Sequence, residues 1–198
     1  MLENGLLFPD EFSILYRNRW PLIERGNMNK KLSVDSMVKA SMLTGLSIVL
    51  SRYFGIFITP TMKFSFGSLP LMISGMMLGP FLGAMSGLTA DLIGVMINAG
   101  GVPHLGFTLR SILTGMVPAF ISAYCRKKDI SLKIEVLLIV IFVFGINHMF
   151  LTPLWLSQLY ETPYMVLLVS RAPKLLIDGV INYILLYIFA LKVMPKIK

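Results

Sequence analysis

Long apolar runs, broken by short clusters of polar and charged residues, set the plan of this chain. Six segments follow from that pattern. The first runs from Ser36 to Phe57, with Lys30, Lys31 and Lys39 near its start and Thr59-Pro60-Thr61-Met62-Lys63 beyond its end. The second is short, Gly67 to Leu78, closed by Gly79-Pro80. The third, Phe81 to Ala99, is rich in glycine and small residues and leads into Gly100-Gly101-Val102-Pro103-His104. The fourth spans Phe107 to Tyr124 and stops at Arg126-Lys127-Lys128-Asp129. The fifth spans Ile134 to Leu156, and the sixth Met165 to Val193, after Tyr160-Glu161-Thr162-Pro163. Runs of this length suit a bilayer, whose crossing takes about 20 residues per helix.

Composition supports a membrane class. Hydrophobic residues make up 56% and charged residues 14%, and the mean hydropathy is +0.76; soluble domains carry about 25% charged residues. One compact domain, residues 28–198, accounts for all six segments. Residues 1–27 mix apolar and charged side chains without a signal-peptide core. They read as an extension whose role stays open, with Met28-Asn29-Lys30-Lys31 resembling a natural start. The single cysteine, Cys125, excludes an internal disulfide. The formal net charge of +8 does not imply nucleic acid, because the Lys and Arg residues gather at segment ends and in one internal loop, where the positive-inside rule expects them.

Those clusters give the topology. With six spans, the N-terminal lysines, Arg126-Lys127-Lys128 and the C-terminal Lys192, Lys196 and Lys198 share one side, the cytoplasm; five spans would separate them. The expected architecture is an all-α integral membrane protein of six transmembrane helices with both termini cytoplasmic. The connections Thr59–Phe66, Gly100–Gly106 and Ser157–Tyr164 then lie outside, either as plain connections or as a lid.

Several ionisable residues fall within or at the outer end of the predicted spans: Arg52, Asp91, Arg110, Arg171, Lys174 and Asp178. Charge at bilayer depth costs roughly 2.5–3.5 kcal/mol on insertion scales, so such residues face the bundle interior and carry a partner or a function. Arg52 lies near the outer end of the first segment, and Arg171 and Lys174 share a face near the outer start of the sixth. Their convergence predicts an anion site open to the outside, since an Arg fork grips a carboxylate with two hydrogen bonds. Snorkelling and an i,i+4 pair between Lys174 and Asp178 are the plainer alternatives. Asp91 suits the N–H groups of a flat heterocycle, or else pairs with an arginine. Trp155 suits stacking on such a ring or a place in the interfacial belt; Phe64, Phe66, Phe107 and Tyr160 share that ambiguity. The fourteen methionines read as adaptable core filler.

No Cys/His/carboxylate spacing fits a metal, so no cofactor is expected. There is no Gly-x-Ser-x-Gly elbow and no Gly-x4-Gly-Lys-Ser/Thr phosphate loop, so energised transport would require an ATPase partner.

These stretches resemble the substrate-binding S-components of energy-coupling factor (ECF) vitamin transporters, and among them the folate-specific type. The resemblance runs from Met28 to the C-terminus. It is carried by Leu46-Ser47-Ile48-Val49-Leu50-Ser51-Arg52-Tyr53-Phe54, Phe66-Gly67-Ser68-Leu69-Pro70-Leu71 and Gly75-Met76-Met77-Leu78-Gly79-Pro80. Asp91-Leu92-Ile93-Gly94, Gly106-Phe107-Thr108-Leu109, Leu154-Trp155-Leu156-Ser157 and Arg171-Ala172-Pro173-Lys174 continue it. It implies a vitamin pocket roofed by the three exterior connections, in a bacterial cell membrane. It also implies assembly with a transmembrane coupling subunit and two ATPases, and toppling of the whole component during transport. The implied substrate-binding residues are Arg52, Phe66, Gly67, Asp91, His104, Phe107, Trp155, Arg171 and Lys174. The family's first helix carries a small-x3-small face toward the coupling subunit; here Ser41 and Gly45 match, flanked by Ala40 and Thr44. Arg110 is not carried over by the resemblance and is left to an ion-pair network of this protein's own.

Folate fits the charge pattern, with two carboxylates for the cations and a flat pterin for Asp91 and Trp155. The rivals are another vitamin (pantothenate, a queuosine precursor, thiamine or riboflavin), a non-binding assembly subunit, and an intramembrane enzyme. A thiamine site would need carboxylates and an aromatic cage, and an intramembrane enzyme would need catalytic groups paired at matched depth, such as Glu-Glu with His or Ser with His or Lys; no span offers paired glutamates.

Overall fold

The computed structural model describes residues 33–59, 62–97 and 104–192. The extension 1–27 and the lysines at 30, 31, 196 and 198 lie outside the described residues, as does most of the Gly100–Gly106 connection.

Among the described residues, six helices and one hairpin make up the fold. α1 (Val34–Arg52) starts on Ser33, whose hydroxyl accepts from the Ser36 N–H at 3.2 Å, and Lys39 pairs with Asp35 one turn back, at 2.7 Å. β1 (Ile56–Thr59) and β2 (Met62–Phe64) form an antiparallel hairpin, with Ile56 opposite Phe64. α2 (Ser68–Leu78) and α3 (Pro80–Ile97) are joined at Gly79, whose φ of 93° is one that only glycine adopts freely. α4 is Leu105–Lys127, α5 is Leu132–Tyr160 and α6 is Tyr164–Lys192. The first segment was expected to continue to Phe57. Instead the helix stops at Arg52, and the β-branched run at Ile56, Ile58 and Thr59 takes an extended form that suits such residues. The described part of the first connection expected outside therefore belongs to this hairpin.

Five of the described helices are long and apolar enough to cross a membrane. α2 is the exception: its 11 residues rise about 16 Å, against a hydrocarbon core of about 30 Å. Its burial resolves the difficulty, because every residue from Pro70 to Met77 is covered by the surrounding helices and none needs to match the bilayer. Arg126 closes its far end by donating from Nη2 to the Met76 carbonyl at 2.9 Å, satisfying a helix-terminal acceptor.

Glycines let the helices around α2 touch backbone to backbone. A Cβ on Gly75 (α2) or Gly83 (α3) would run into the Gly115 carbonyl of α4, and one on Gly87 into the Ser111 carbonyl. Close approach through small residues is the way helices associate in lipid, where tails as apolar as the side chains provide no hydrophobic drive. Met72, Met76, Ile139, Val143 and Leu186 build the larger apolar core between α2, α5 and α6.

The surface inverts the soluble pattern. Met42, Phe81, Leu105, Met96, Phe142 and Leu176 are exposed, while Ser74, Ser86, Ser122, Asn147 and Asn182 are buried. Ser74 and Ser86 satisfy each other at 2.9 Å. A surface of this kind is stable only against hydrocarbon, so the molecule is an integral membrane protein.

Candidate functional site

The end of α1, the hairpin, the end of α3, the start of α4, the last turns of α5 and the start of α6 share one end of the bundle. Arg52, Asp91, Arg110, Arg171, Lys174 and Asp178 belong to it.

Asp91 holds the first group together. Its Oδ2 accepts from the Thr108 hydroxyl of α4 at 2.7 Å, and its Oδ1 lies 3.8 Å from Arg52 Nη2. Arg52 and Asp91 are nearly covered, at 12% and 11% exposure. Gly94, one turn beyond Asp91, makes room for the guanidinium: a Cβ there would stand 2.7 Å from Arg52 Nε. Of the two roles open to Asp91, pairing with an arginine is the one seen. Each carboxylate oxygen keeps a further lone pair for a ligand donor.

Lys174 and Asp178 form the i,i+4 pair that the spacing allowed, at 2.7 Å, with Lys174 at 17% exposure. The ammonium also lies 5.8 Å from the centre of the Phe64 ring, a cation–π contact that ties the hairpin to α6. Phe64 in turn meets Phe66 edge-on at 5.6 Å. Pro173, inside α6, has no N–H to donate to the carbonyl four residues back, so the helix lacks one backbone hydrogen bond in the turn that carries Arg171. Arg171 is half-buried and within electrostatic range of Arg110.

Trp155 lies against the Gly106 backbone, in space that any Cβ on residue 106 would claim. His104 caps α4, its Nδ1 accepting from the Gly106 N–H at 3.1 Å. Its ring centre is 5.9 Å from Phe107 and 6.4 Å from Trp155. His104, Phe107 and Trp155 thus form one aromatic wall. Gly67 serves packing rather than the wall. Ser47 donates to its carbonyl at 2.6 Å, and a Cβ would meet Ser51 Cβ at 2.5 Å, so it seats the start of α2 on α1.

Sequence reasoning missed the residues of α5 opposite Arg110. From Ile141 to Leu151 this helix takes the wider π form, often found at functional sites. Pro153, lacking an N–H, follows directly, and Thr152 Oγ1 donates to the Asn147 carbonyl at 3.2 Å. Asn147 Nδ2 donates to the Arg110 carbonyl and to Thr114 Oγ1, both at 2.8 Å, and His148 stacks on Phe144 at 4.8 Å. Only Pro153 hints at this distortion in the sequence.

The four partner-face residues divide. Ser41 and Gly45 are exposed on α1, and Gly45 has nothing within 4 Å of where a Cβ would sit. Ala40 and Thr44 are buried, Thr44 bonding its own helix at the Ala40 carbonyl; they face the bundle rather than a partner.

A lipid-exposed helical bundle with cations, carboxylates and an aromatic wall gathered at one end defines a membrane component that binds a small molecule. Residues 35–190 match the family described as ECF transporter, substrate-specific component, and the chain belongs to that family. It is a transporter subunit and not an enzyme. The chain is similar to the Folate transporter FolT of Clostridium novyi (strain NT), with 32% identity over 154 residues, 78% of this chain and 87% of that protein. It is also similar to a solved structure described as the crystal structure of FolT bound with folic acid. There the TM-score is 0.69 and the identity 29%, covering 82% of this chain and 98% of the other.

Proposed function

We propose that this protein captures folate from outside the cell and delivers it through an ECF-type transporter, in assembly with a transmembrane coupling subunit and two ATPases. The observation that carries the reading is the partly buried set Arg52, Arg110, Arg171 and Lys174 at the same end of the bundle as the aromatic wall, in a chain 32% identical to a folate transporter. Four cations against Asp91 and Asp178 leave a net positive field at that end, which suits the two carboxylates of the glutamate tail. Asp91 and Trp155 suit the pterin, a flat ring with N–H donors. Arg126, Lys127, Lys133 and Lys192 gather at the opposite end, which supports a cytoplasmic position for that end and for both termini. The exposed Ser41–Gly45 face of α1 suits close approach of the coupling subunit.

Titration of the purified protein with folate, followed by tryptophan fluorescence, tests the assignment. Quenching that saturates with folate, and not with thiamine, riboflavin or pantothenate, is the expected result. Saturation with another vitamin and none with folate removes the specificity and leaves the transport class standing.

A further inference from the structure

At the binding end, two cations are already committed to carboxylates of the chain itself, Arg52 to Asp91 at 3.8 Å and Lys174 to Asp178 at 2.7 Å. Arg110 is not. Among the described residues its guanidinium makes no hydrogen bond or ion pair, and its Nε is buried without an acceptor. Asp91 lies within its electrostatic range, but so do Arg52 and Arg171.

The residue is nonetheless held firmly. Its carbonyl accepts from Thr114 Oγ1 at 2.9 Å and from Asn147 Nδ2 at 2.8 Å, so α4 and the π stretch of α5 fix the backbone from which the side chain projects. His148, next to Asn147, is within range of Arg110, Arg171 and Lys174 together, and its Nε2 is also buried without a partner among the described residues. A positioned guanidinium whose Nε is buried without an acceptor is unfavourable when empty. An anion arriving from outside would satisfy it, which is the usual reason for an ionisable group at membrane depth.

We infer that Arg110 is a ligand-binding residue, receiving a carboxylate of the bound anion with His148 as the second polar group beside it, while Arg52 and Lys174 stay with Asp91 and Asp178. This assignment rests on the folate reading and deepens it, naming the group that recognises the acidic tail. The arginine that the sequence left to an internal ion-pair network thereby becomes one whose charge the described residues leave for a guest.

The test compares folate with its dimethyl ester, in which both tail carboxylates are masked, on wild type, Arg110→Gln and Arg110→Lys. Wild type is expected to prefer folate. Arg110→Gln should bind folate at least about tenfold more weakly while binding the ester within about twofold of wild type. Arg110→Lys keeps the charge but loses the fork, and should lose about threefold or more of the preference for folate. If Arg110→Gln does not fold, the lysine variant decides alone, because the folate-to-ester ratio is read on folded protein; an unchanged ratio overturns the assignment. Equal weakening toward both ligands, or undiminished folate binding by Arg110→Gln, also overturns it. Wild type that binds neither compound overturns the folate reading and this assignment together, a result distinct from the others.

Discussion

At the scale of single residues, each charged group at the binding end is held by a different device. Arg52 lies over a glycine and faces Asp91; Lys174 is pinned by Asp178 and the Phe64 ring; Arg110 is fixed through its backbone. Arg171 shares the electrostatic field of Arg110 and, with Lys174, that of His148. Arg171→Ala is expected to weaken folate binding by at least about tenfold, about 1.4 kcal/mol, in an equilibrium titration; unchanged affinity would make it an interfacial anchor only. Trp155 depends on a position with no side chain at all. Gly106→Val fills the space its indole occupies, so the tryptophan emission should shift and folate affinity fall by at least about tenfold. Wild-type emission and affinity in that variant would show that the ring and the ligand do not depend on this contact.

At the scale of elements, the central fact is how tightly α2, α3 and α4 meet. Gly75, Gly83 and Gly115 bring three backbones into contact, and a backbone carbonyl cannot rotate away as a side chain can. Gly75→Ala should therefore destabilise the folded protein by about 1–3 kcal/mol, the usual range for overpacking. Gly45→Ala, with open space around it, should change stability by no more than about 0.5 kcal/mol. Thermal unfolding in detergent compares the two, and equal melting temperatures would refute the backbone seam. α5 is built on the opposite principle: its wide stretch gives up regular geometry to aim Asn147 at α4.

At the scale of the whole molecule, the proposed binding groups and the proposed coupling face fall on different surfaces. The proposed ligand groups lie at the hairpin end, whereas Ser41 and Gly45 face outward on α1. Gly45→Leu is accordingly expected to leave folate affinity of the isolated protein within about twofold while abolishing uptake by cells expressing the complete transporter, since bulk at a small-residue face keeps two helices apart. Uptake at the wild-type rate would move the coupling surface elsewhere. Both properties depend on a bundle whose apolar surface is solvated by lipid, with α2 sheltered inside it.

The sequence alone determined the membrane class, the six helices and the family, because each is written in local quantities: run length, the placement of lysines and arginines, and short stretches such as Leu154-Trp155-Leu156-Ser157. It also brought Arg52, Asp91, Trp155, Arg171 and Lys174 into view, since charge or a large ring is conspicuous in an apolar run. Only the tertiary structure decided who meets whom. Asp91 and Thr108 are on different helices, as are Arg110 and Asn147, and no spacing along the chain encodes those contacts. Ala40 and Thr44 turned inward while Ser41 and Gly45 turned out, because a helix made of small residues on several faces gives no moment to orient it; its neighbours do. The pairing of Ile56 with Phe64 and the widened turns of α5 likewise depend on a strand partner and on a missing proline N–H, which hydrophobic patterning does not record.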